Sequence, residues 1–234
     1  MAKAVNRSPA TTLPTNNTME MRKTNTLVPM MAARMLKSEP HNATRGFAGK
    51  VQAFFDREAP RRNGYPLYDF DKLAKGDAYY TGLKVSDYVL ALKGNEIVGM
   101  LAAWNQKAYK QTRIMGFKPA IKVLRPLYNL YVSLAGGFKL PPVGGVLNYL
   151  TLYNVLIAGD DPAVYQALID WVMAHQGQRY DALATAVTHG DPLETVPRGY
   201  KRQKLLSENL WMSYGEDPRP GMDARPLYAE LGRL

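Results

Sequence analysis

The segment that decides the fold is residues 149–175, YLTLYNVLIAGDDPAVYQALIDWVMAH. Its first ten residues, Tyr149 to Ala158, are mostly apolar, β-branched or aromatic, which predicts a strand buried in the middle of a sheet. Two aspartates and Pro162 follow, as at many helix starts, because an aspartate caps the first turn and proline lacks an N–H that would have no partner there. The apolar residues after Pro162 recur at i, i+3, i+4, i+7 and i+8, so one side of this helix should be buried.

A strand that leads into a helix through a short turn also creates an anion site, since the first N–H groups of the helix have no partner within it. The main functional question is therefore whether the turn at Asp160 and Asp161 holds a phosphate. Two carboxylates oppose a phosphate because they carry charge of the same sign. Their side chains can also accept hydrogen bonds from the N–H groups that a phosphate needs.

Composition excludes several classes of protein. The chain has 234 residues, 46% of them hydrophobic, which is enough for one sizeable core. It has no cysteine, so disulfides, thiolate metal ligands and a cysteine nucleophile are excluded. The histidines, His41, His175 and His189, lack the spacing of a metal pair, and no metal site is predicted. With no apolar run near 18 residues and no signal-peptide layout, we expect no transmembrane segment and a cytoplasmic protein.

The net charge of +10 is unevenly distributed. Residues 1–50 contain eight Lys or Arg and two Glu, and residues 104–139 contain seven Lys or Arg and no carboxylate. This balance attracts anions such as nucleic acid, an acidic membrane, a phosphorylated cofactor or an acidic protein. Nucleic acid is not expected, because no nucleic-acid-binding motif accompanies the charge. A solvated basic surface without a dedicated partner is the alternative.

The remaining patterns predict the order of the elements. Residues 1–25 are rich in Ser, Thr and Asn and predict a disordered basic tail, followed by a single domain over residues 26–234. The further predicted elements are helices at 27–37 and 46–58, a hairpin of strands 87–93 and 96–104 around Gly94–Asn95, an amphipathic helix at 119–134 within an inserted helix and loop at about 118–145, a strand at 180–188, a short helix at 192–197 and a last strand at about 202–213.

The predicted helix at 119–134 carries more apolar surface than one face of a sheet easily covers, and its flanks are cationic. Two roles remain open for it. It can be a lid packed on the core, or it can be a surface for a partner, either a second copy of this chain or the other domain of a tandem protein. A homo-oligomer is one of the assemblies that the second role allows.

The order of elements resembles that of the GNAT-type N-acetyltransferases, and more narrowly the second half of the bacterial tandem-GNAT proteins. The resemblance covers roughly residues 45–234 and is carried by the segments FDREAPRR, GNEIVGMLAAWNQKAYKQTR, LRPLYNLYVSLAG, LPPVGG and RPLYAELGRL. It implies an α+β fold, built as three α/β layers, with a central mixed and mostly antiparallel sheet flanked by helices. In that family the fourth and fifth strands splay apart to admit acetyl-CoA.

The resemblance also implies a cofactor site. The backbone of three residues in the central strand would bind the pantetheine arm of acetyl-CoA, and the turn after the strand would bind the pyrophosphate. The implied cofactor-binding residues are Asn154, Val155, Leu156, Ala158, Gly159, Asp160, Asp161 and Ala163. The family pattern for the pyrophosphate loop is Arg/Gln-x-x-Gly-x-Gly/Ala, and this chain keeps only Gly159 of it.

Catalytic residues are sparse. The tyrosine that acts as an acid in the family stands four residues before a Gly-Phe pair, and Thr195 occupies that position before Gly199–Tyr200. His189, at the end of the strand at 180–188, is the candidate general base. Its alternative role is a histidine of the turn before Asp191, which is itself the expected cap of the next helix.

Three functions remain open at this stage. The first is transfer of an acyl group from acetyl-CoA to an amine of a small molecule or a protein, with His189 or a water as the base. The second is a GNAT-like fold that no longer catalyses and serves binding or assembly. The third is a basic adaptor that binds an anionic partner through the tail and residues 104–139.

Overall fold

The computed structural model describes residues 14–21, 32–35, 41–135, 137–208, 215–217, 219–228 and 230–233. Seven strands and five α-helices are found in these ranges. The strands are β1 (Pro14–Met21), β2 (Ala32–Met35), β3 (Tyr88–Lys93), β4 (Glu96–Trp104), β5 (Tyr149–Ile157), β6 (Ala182–Thr188) and β7 (Lys201–Glu208). The α-helices are α1 (His41–Glu58), α2 (Phe70–Lys75), α3 (Pro119–Ala135), α4 (Pro162–Gln176) and α5 (Thr195–Arg198).

The strands form one mixed, mostly antiparallel sheet in the order β2-β3-β4-β5-β6-β1-β7. Every neighbouring pair is antiparallel except β5 and β6, which are parallel. The predicted hairpin of β3 and β4 and the central position of β5 are both confirmed. The predicted α+β class, a mixed sheet with helices, is confirmed at this level.

Helices cover both faces of the sheet because side chains alternate along each strand. On β4, Met100 and Ala102 face a core built with α1 and α2, whereas Leu101 and Ala103 face a core built with α4. The first core is rich in aromatic rings, and Phe55 makes edge contacts with three of them: Tyr65, Tyr68 and Phe70. The second core buries the predicted apolar side of α4, including Val164, Leu168 and Val172.

The N-terminal part differs from the prediction. Residues 14–21, assigned to a disordered tail, form β1 between β6 and β7, and residues 32–35, assigned to a helix, form β2 beside β3. The reason is tertiary, because β6 is buried and its backbone groups need partners on both edges. The rest of the predicted tail lies outside the described residues, as does the C-terminal part of the predicted strand at 202–213.

Helix α3 confirms the helix predicted at 119–134. Of the two roles left open for it, the described side chains do not support a lid packed on the core. Among its described side chains only Val132 is buried, and most of its large apolar residues are exposed. No helix in the described ranges is long and apolar enough to cross a membrane.

Close packing of α4 on the sheet depends on Gly99 in β4. A Cβ at this position would lie 2.6 Å from Cγ1 of Val164 and 3.2 Å from Cδ1 of Leu168. Val164 is buried and its β-branched side chain has little freedom to move away. We therefore expect Gly99→Ala to lower the free energy of unfolding by about 1–3 kcal/mol, measured by urea denaturation.

Gly49→Ala is the matched control. Gly49 lies within α1, and a Cβ there has no neighbouring atom within 4 Å. Alanine is the better helix former by up to about 1 kcal/mol, so this variant should be as stable as the wild type or more stable. A Gly99→Ala variant with wild-type stability would contradict the packing of α4 on β4.

Candidate functional site

The sheet opens between β5 and β6. The two strands pair at only three positions: Tyr149 with Ala182, Leu150 with Leu183 and Thr151 with Ala184. Beyond these positions β5 continues to Ile157 and β6 to Thr188 without further pairing between them. The two parallel strands thus separate toward their C-terminal ends. We call the space between them the gap.

A bulge in β5 lies at the gap. Met100 pairs with Leu156 and Ala102 pairs with Tyr153, so two residue steps along β4 lie opposite three residue steps along β5. The bulge includes Asn154, whose φ of 51° lies in the left-handed region that asparagine tolerates better than most residues. Its buried amide is held on both sides, since its Nδ2 donates to Tyr88 at 3.0 Å and its Oδ1 accepts from Tyr65 at 2.8 Å.

The chain's own C-terminal residues lie along the gap. We define the C-terminal segment as residues 223–228 and 230–233. It is anchored by Asn63, whose backbone N–H donates to the carbonyl of Pro226 and whose carbonyl accepts from the N–H of Tyr228, both at 2.9 Å. Thr188, at the end of β6, donates its hydroxyl to the carbonyl of Leu227 at 2.7 Å.

The far end of the C-terminal segment contacts β5. The short 3₁₀ helix Leu231–Arg233 lies close to both β5 and β6. The carbonyl of Gly232 accepts from Gln106 at 2.6 Å, and Gln106 in turn accepts from Thr151 of β5 at 3.0 Å. A Cβ at Gly232 would lie 2.3 Å from the ring of Tyr153, so only glycine fits here without rearrangement. The segment therefore covers the gap on the α1 and α2 side of the sheet.

Glu230 is the polar centre of this contact. Its carboxylate accepts from the hydroxyls of Tyr68 at 2.9 Å and Tyr228 at 2.8 Å and from the N–H of Gly232 at 3.2 Å. The backbone N–H of Asn154 lies near it and also favours its charged form. Burial raises the pKa of Glu230 to about 7, although these hydrogen bonds act in the opposite direction.

Tyrosines surround this carboxylate. Burial raises the pKa of Tyr65, Tyr68 and Tyr228, so all three remain protonated hydrogen-bond donors. The ring of Tyr228 stacks on Tyr65 with centroids 3.9 Å apart. The hydroxyl of Tyr65 also donates to the carbonyl of Val155 at 3.0 Å. The Val155 carbonyl of β5, at the bulge, thus has a partner within the chain, and the Asn154 N–H lies near the Glu230 carboxylate.

Arg62 closes the gap at the ends of the strands. Its guanidinium donates to Asp160, which follows β5, and to Asp191, which follows β6, each at 2.5 Å. The side chain is only 4% exposed. Burial lowers the pKa of Arg62, but the charges and hydrogen bonds of Asp191 and Asp160 raise it by more, so the group stays fully charged. Arg61 lies 3.7 Å from the other oxygen of Asp160 and is about half exposed.

In the predicted pyrophosphate loop, an N–H group that a phosphate would need is already bonded to a side chain of the loop itself. Gly159 and Asp160 adopt left-handed backbone conformations, with φ of 62° and 55°. Asp161, one of the two predicted caps of α4, accepts from the N–H of Ala163 at 2.9 Å. The prediction that an aspartate side chain takes an N–H group at the start of this helix is confirmed for Asp161.

The other residues predicted for the site are placed as follows. Leu156 is buried in the core on the α1 side, Ala158 is half-buried, and Gly159 and Ala163 are exposed. His189 is exposed in the turn after β6. Asp191 accepts from the N–H of Leu193 at 2.8 Å, so its predicted role as a helix cap is confirmed.

Three parts of the site were missed by sequence reasoning: Arg62, the tyrosines around the bulge, and Glu230. Signals for them exist in the sequence. The pair Arg61–Arg62 directly follows Pro60, tyrosines are frequent between residues 65 and 80, and Glu230 lies in the RPLYAELGRL segment. None of these signals indicates which distant residues Arg62, the tyrosines and Glu230 contact.

No group of three or more metal-binding side chains that could hold an ion occurs in the part of the chain that the structure describes. In comparisons with known proteins, neither a family model nor a curated protein matches this chain.

The ion pairs of Arg62 can be tested by Arg62→Met. This change leaves Asp160 and Asp191 close together without their cation, and removal of one partner of a buried ion pair costs about 3–5 kcal/mol. We expect a loss of this order in the free energy of unfolding by urea. The control Arg61→Met removes a half-exposed guanidinium and should cost less than about 1 kcal/mol. Equal losses for the two variants would show that the gap is not closed by Arg62.

The raised pKa of Glu230 predicts a pH dependence of stability. Between its ordinary pKa of 4.5 and its folded value of about 7, the folded protein keeps a proton that the unfolded chain releases. The contribution of this group to stability therefore falls as the pH rises through that window and is constant above it. Relative to Glu230→Gln, which resembles the protonated form, the wild type should lose about 1–3 kcal/mol between pH 5 and pH 8.

Exposed Glu96→Gln has the same change in net charge and serves as the control. Unfolding by urea at a series of pH values measures all three proteins. A stability difference between wild type and Glu230→Gln that is the same at pH 5 and pH 8 would contradict the assignment.

Proposed function

We propose that the chain is a GNAT-like module that does not transfer acyl groups and serves binding or assembly. One observation carries this proposal. In the gap, where the resemblance expects the pantetheine arm of acetyl-CoA, the Val155 carbonyl accepts from Tyr65 and the Asn154 N–H lies near the Glu230 carboxylate of the C-terminal segment. A cofactor that used these groups would first have to displace the chain's own side chains.

The charges at the end of the gap support the same proposal. Arg61 and Arg62 pair with the carboxylates of Asp160 and Asp191, and Asp161 adds a third carboxylate next to Asp160, so these five groups carry one net negative charge. A diphosphate would meet this charge and would also compete with Asp161 for the N–H of Ala163. Both the negative charge and the competition for this N–H weaken the binding of any cofactor that carries a pyrophosphate.

Opening the gap has a cost that lowers the apparent affinity. Release of the C-terminal segment breaks the bond of Tyr68 to Glu230, the two backbone bonds of Asn63, and the bonds of Thr188 to Leu227 and Gln106 to Gly232. A net value of about 1 kcal/mol for each bond gives an opening cost of several kcal/mol. Because the apparent dissociation constant rises as the open fraction falls, an opening cost of about 3 kcal/mol weakens a ligand by roughly two orders of magnitude.

A second candidate is an acetyl-CoA-dependent N-acetyltransferase, favoured by the separation of β5 and β6 after Thr151 and Ala184. In this function an amine nitrogen attacks the thioester carbonyl carbon and the thiolate leaves. The proton of the amine passes to a base, for which His189 at the end of β6 is the candidate. Acyl transfer would require the C-terminal segment to leave the gap during the reaction.

Calorimetric titration with acetyl-CoA separates the two candidates. The proposed module should bind with a dissociation constant weaker than about 1 mM, equivalent to about 4 kcal/mol of binding free energy. Replacing Asp160 and Asp161 together by glycine should leave the affinity weak, because the C-terminal segment still covers the gap. Asp161→Ser, which keeps a helix cap and removes one charge, controls for loss of the cap.

Micromolar binding by the wild type would overturn the proposed function. Micromolar binding by the double glycine variant would also overturn it, since the two carboxylates would then be the only barrier to acetyl-CoA.

A further inference from the structure

Helix α3 is attached to the rest of the protein by its polar side. Arg125 donates to the carbonyl of Leu140 at 3.0 Å, and the amide of Asn129 both donates to that carbonyl and accepts from the N–H of Leu140. Val132 is the buried residue of the helix. These three residues are spaced i, i+4 and i+7, so they lie on one side of the helix.

The apolar side of α3 faces away from the core. Its large apolar residues are exposed, including Leu127 at 65% and Leu134 at 84%. The set consists of Ile121, Val123, Leu124, Leu127, Leu130, Tyr131 and Leu134. At 100° per residue most of them fall on one continuous stripe opposite Asn129. An exposed apolar stripe of this size marks a surface that binds a partner.

The charge around the stripe has a single sign. No Asp or Glu occurs between Glu96 and Asp160, whereas this stretch contains Lys107, Lys110, Arg113, Lys118, Lys122, Arg125 and Lys139. Lys118 and Lys122 are exposed and lie one turn apart at the start of α3. At 100° per residue they fall on the side of Asn129, opposite the stripe, so they attract an anionic surface across the width of the helix, a distance of about one Debye length.

We propose that α3 binds the surface of a lipid bilayer that contains anionic lipids. An interfacial helix buries an apolar side among the acyl chains, which the stripe of α3 supplies, and the cations of the surrounding stretch attract anionic head groups. Its 17 residues span about 25 Å and its other side is bonded to the protein. The helix therefore lies in the plane of the membrane surface and does not cross it.

The charge argues against a second copy of this chain as the occupant. A symmetric interface through α3 would bring together two identical segments, each with seven cations and no carboxylate. Like charges that face each other across an interface weaken it, and this segment has nothing to neutralise them. Anionic head groups supply the missing charge. This proposal concerns a surface outside the gap and does not depend on the proposed function.

Co-sedimentation with vesicles tests the proposal on the full chain. We expect binding to vesicles of phosphatidylcholine with about 30% phosphatidylglycerol, at least tenfold weaker binding to phosphatidylcholine alone, and a marked loss of binding as salt is raised. Leu127→Glu should reduce binding to the anionic vesicles at least tenfold. Lys118→Glu combined with Lys122→Glu should reduce binding to anionic vesicles and leave the weak binding to neutral vesicles unchanged.

Leu67→Glu is the matched control. Leu67 is 89% exposed and lies in the loop before α2, so this variant has the same change in residue and charge as Leu127→Glu at a different exposed leucine. It should bind anionic vesicles within about twofold of the wild type. Thermal unfolding of both variants checks that the fold is kept, as expected for residues that bury little of their surface.

Three results would overturn the proposal. The first is no binding of the wild type to anionic vesicles. The second is equal loss of binding in the variants at Leu127 and Leu67. The third is a wild-type dimer in sedimentation velocity that Leu127→Glu dissociates, without vesicle binding, which would make a second copy the occupant.

Discussion

The buried guanidinium of Arg62 is the interaction on which the arrangement of the site depends. It joins Asp160 after β5 to Asp191 after β6, and so holds together the ends of two strands whose backbones have already separated. The next residue, Asn63, pairs with the C-terminal segment, and its side chain donates to the carbonyls of Asp223 and Arg225. Two adjacent residues therefore fix both strands and the segment that lies over them. A buried ion needs all of its partners, and this need couples the three parts.

The parts of the fold that sequence predicted are those specified by neighbouring residues. The hairpin at Gly94–Asn95 and the passage from β5 into α4 each depend on a turn or cap next to a periodic apolar run. The segment Pro14–Met21, PTNNTMEM, has neither signal, and it becomes a strand because β6 and β7 leave a place for one between them. Strand formation of this kind is decided by distant residues, and local patterns do not contain it.

The contacts of the site also divide into those specified by neighbouring residues and those made between distant residues. Asp161 acts on the N–H of a residue two positions away, and its role was predicted from the local sequence. Arg62 and Asp160 are 98 residues apart, and the contact of Glu230 with Tyr68 spans 162 residues, so neither was predictable from spacing. The apolar period of α3 predicted a helix with two unlike sides. It did not predict which side faces the core, because periodicity defines a stripe on a helix and not its direction.

The gap and the stripe on α3 differ in the free energy that a ligand can gain by binding there. In the gap, the Val155 carbonyl and Glu230 already have hydrogen-bond partners, so a ligand only exchanges existing bonds for new ones, with a net gain near zero. On α3 the large apolar side chains are exposed, and covering a leucine side chain gains about 2 kcal/mol. This difference in free energy favours the proposed binding at α3 over binding in the gap, because the gap must first be opened.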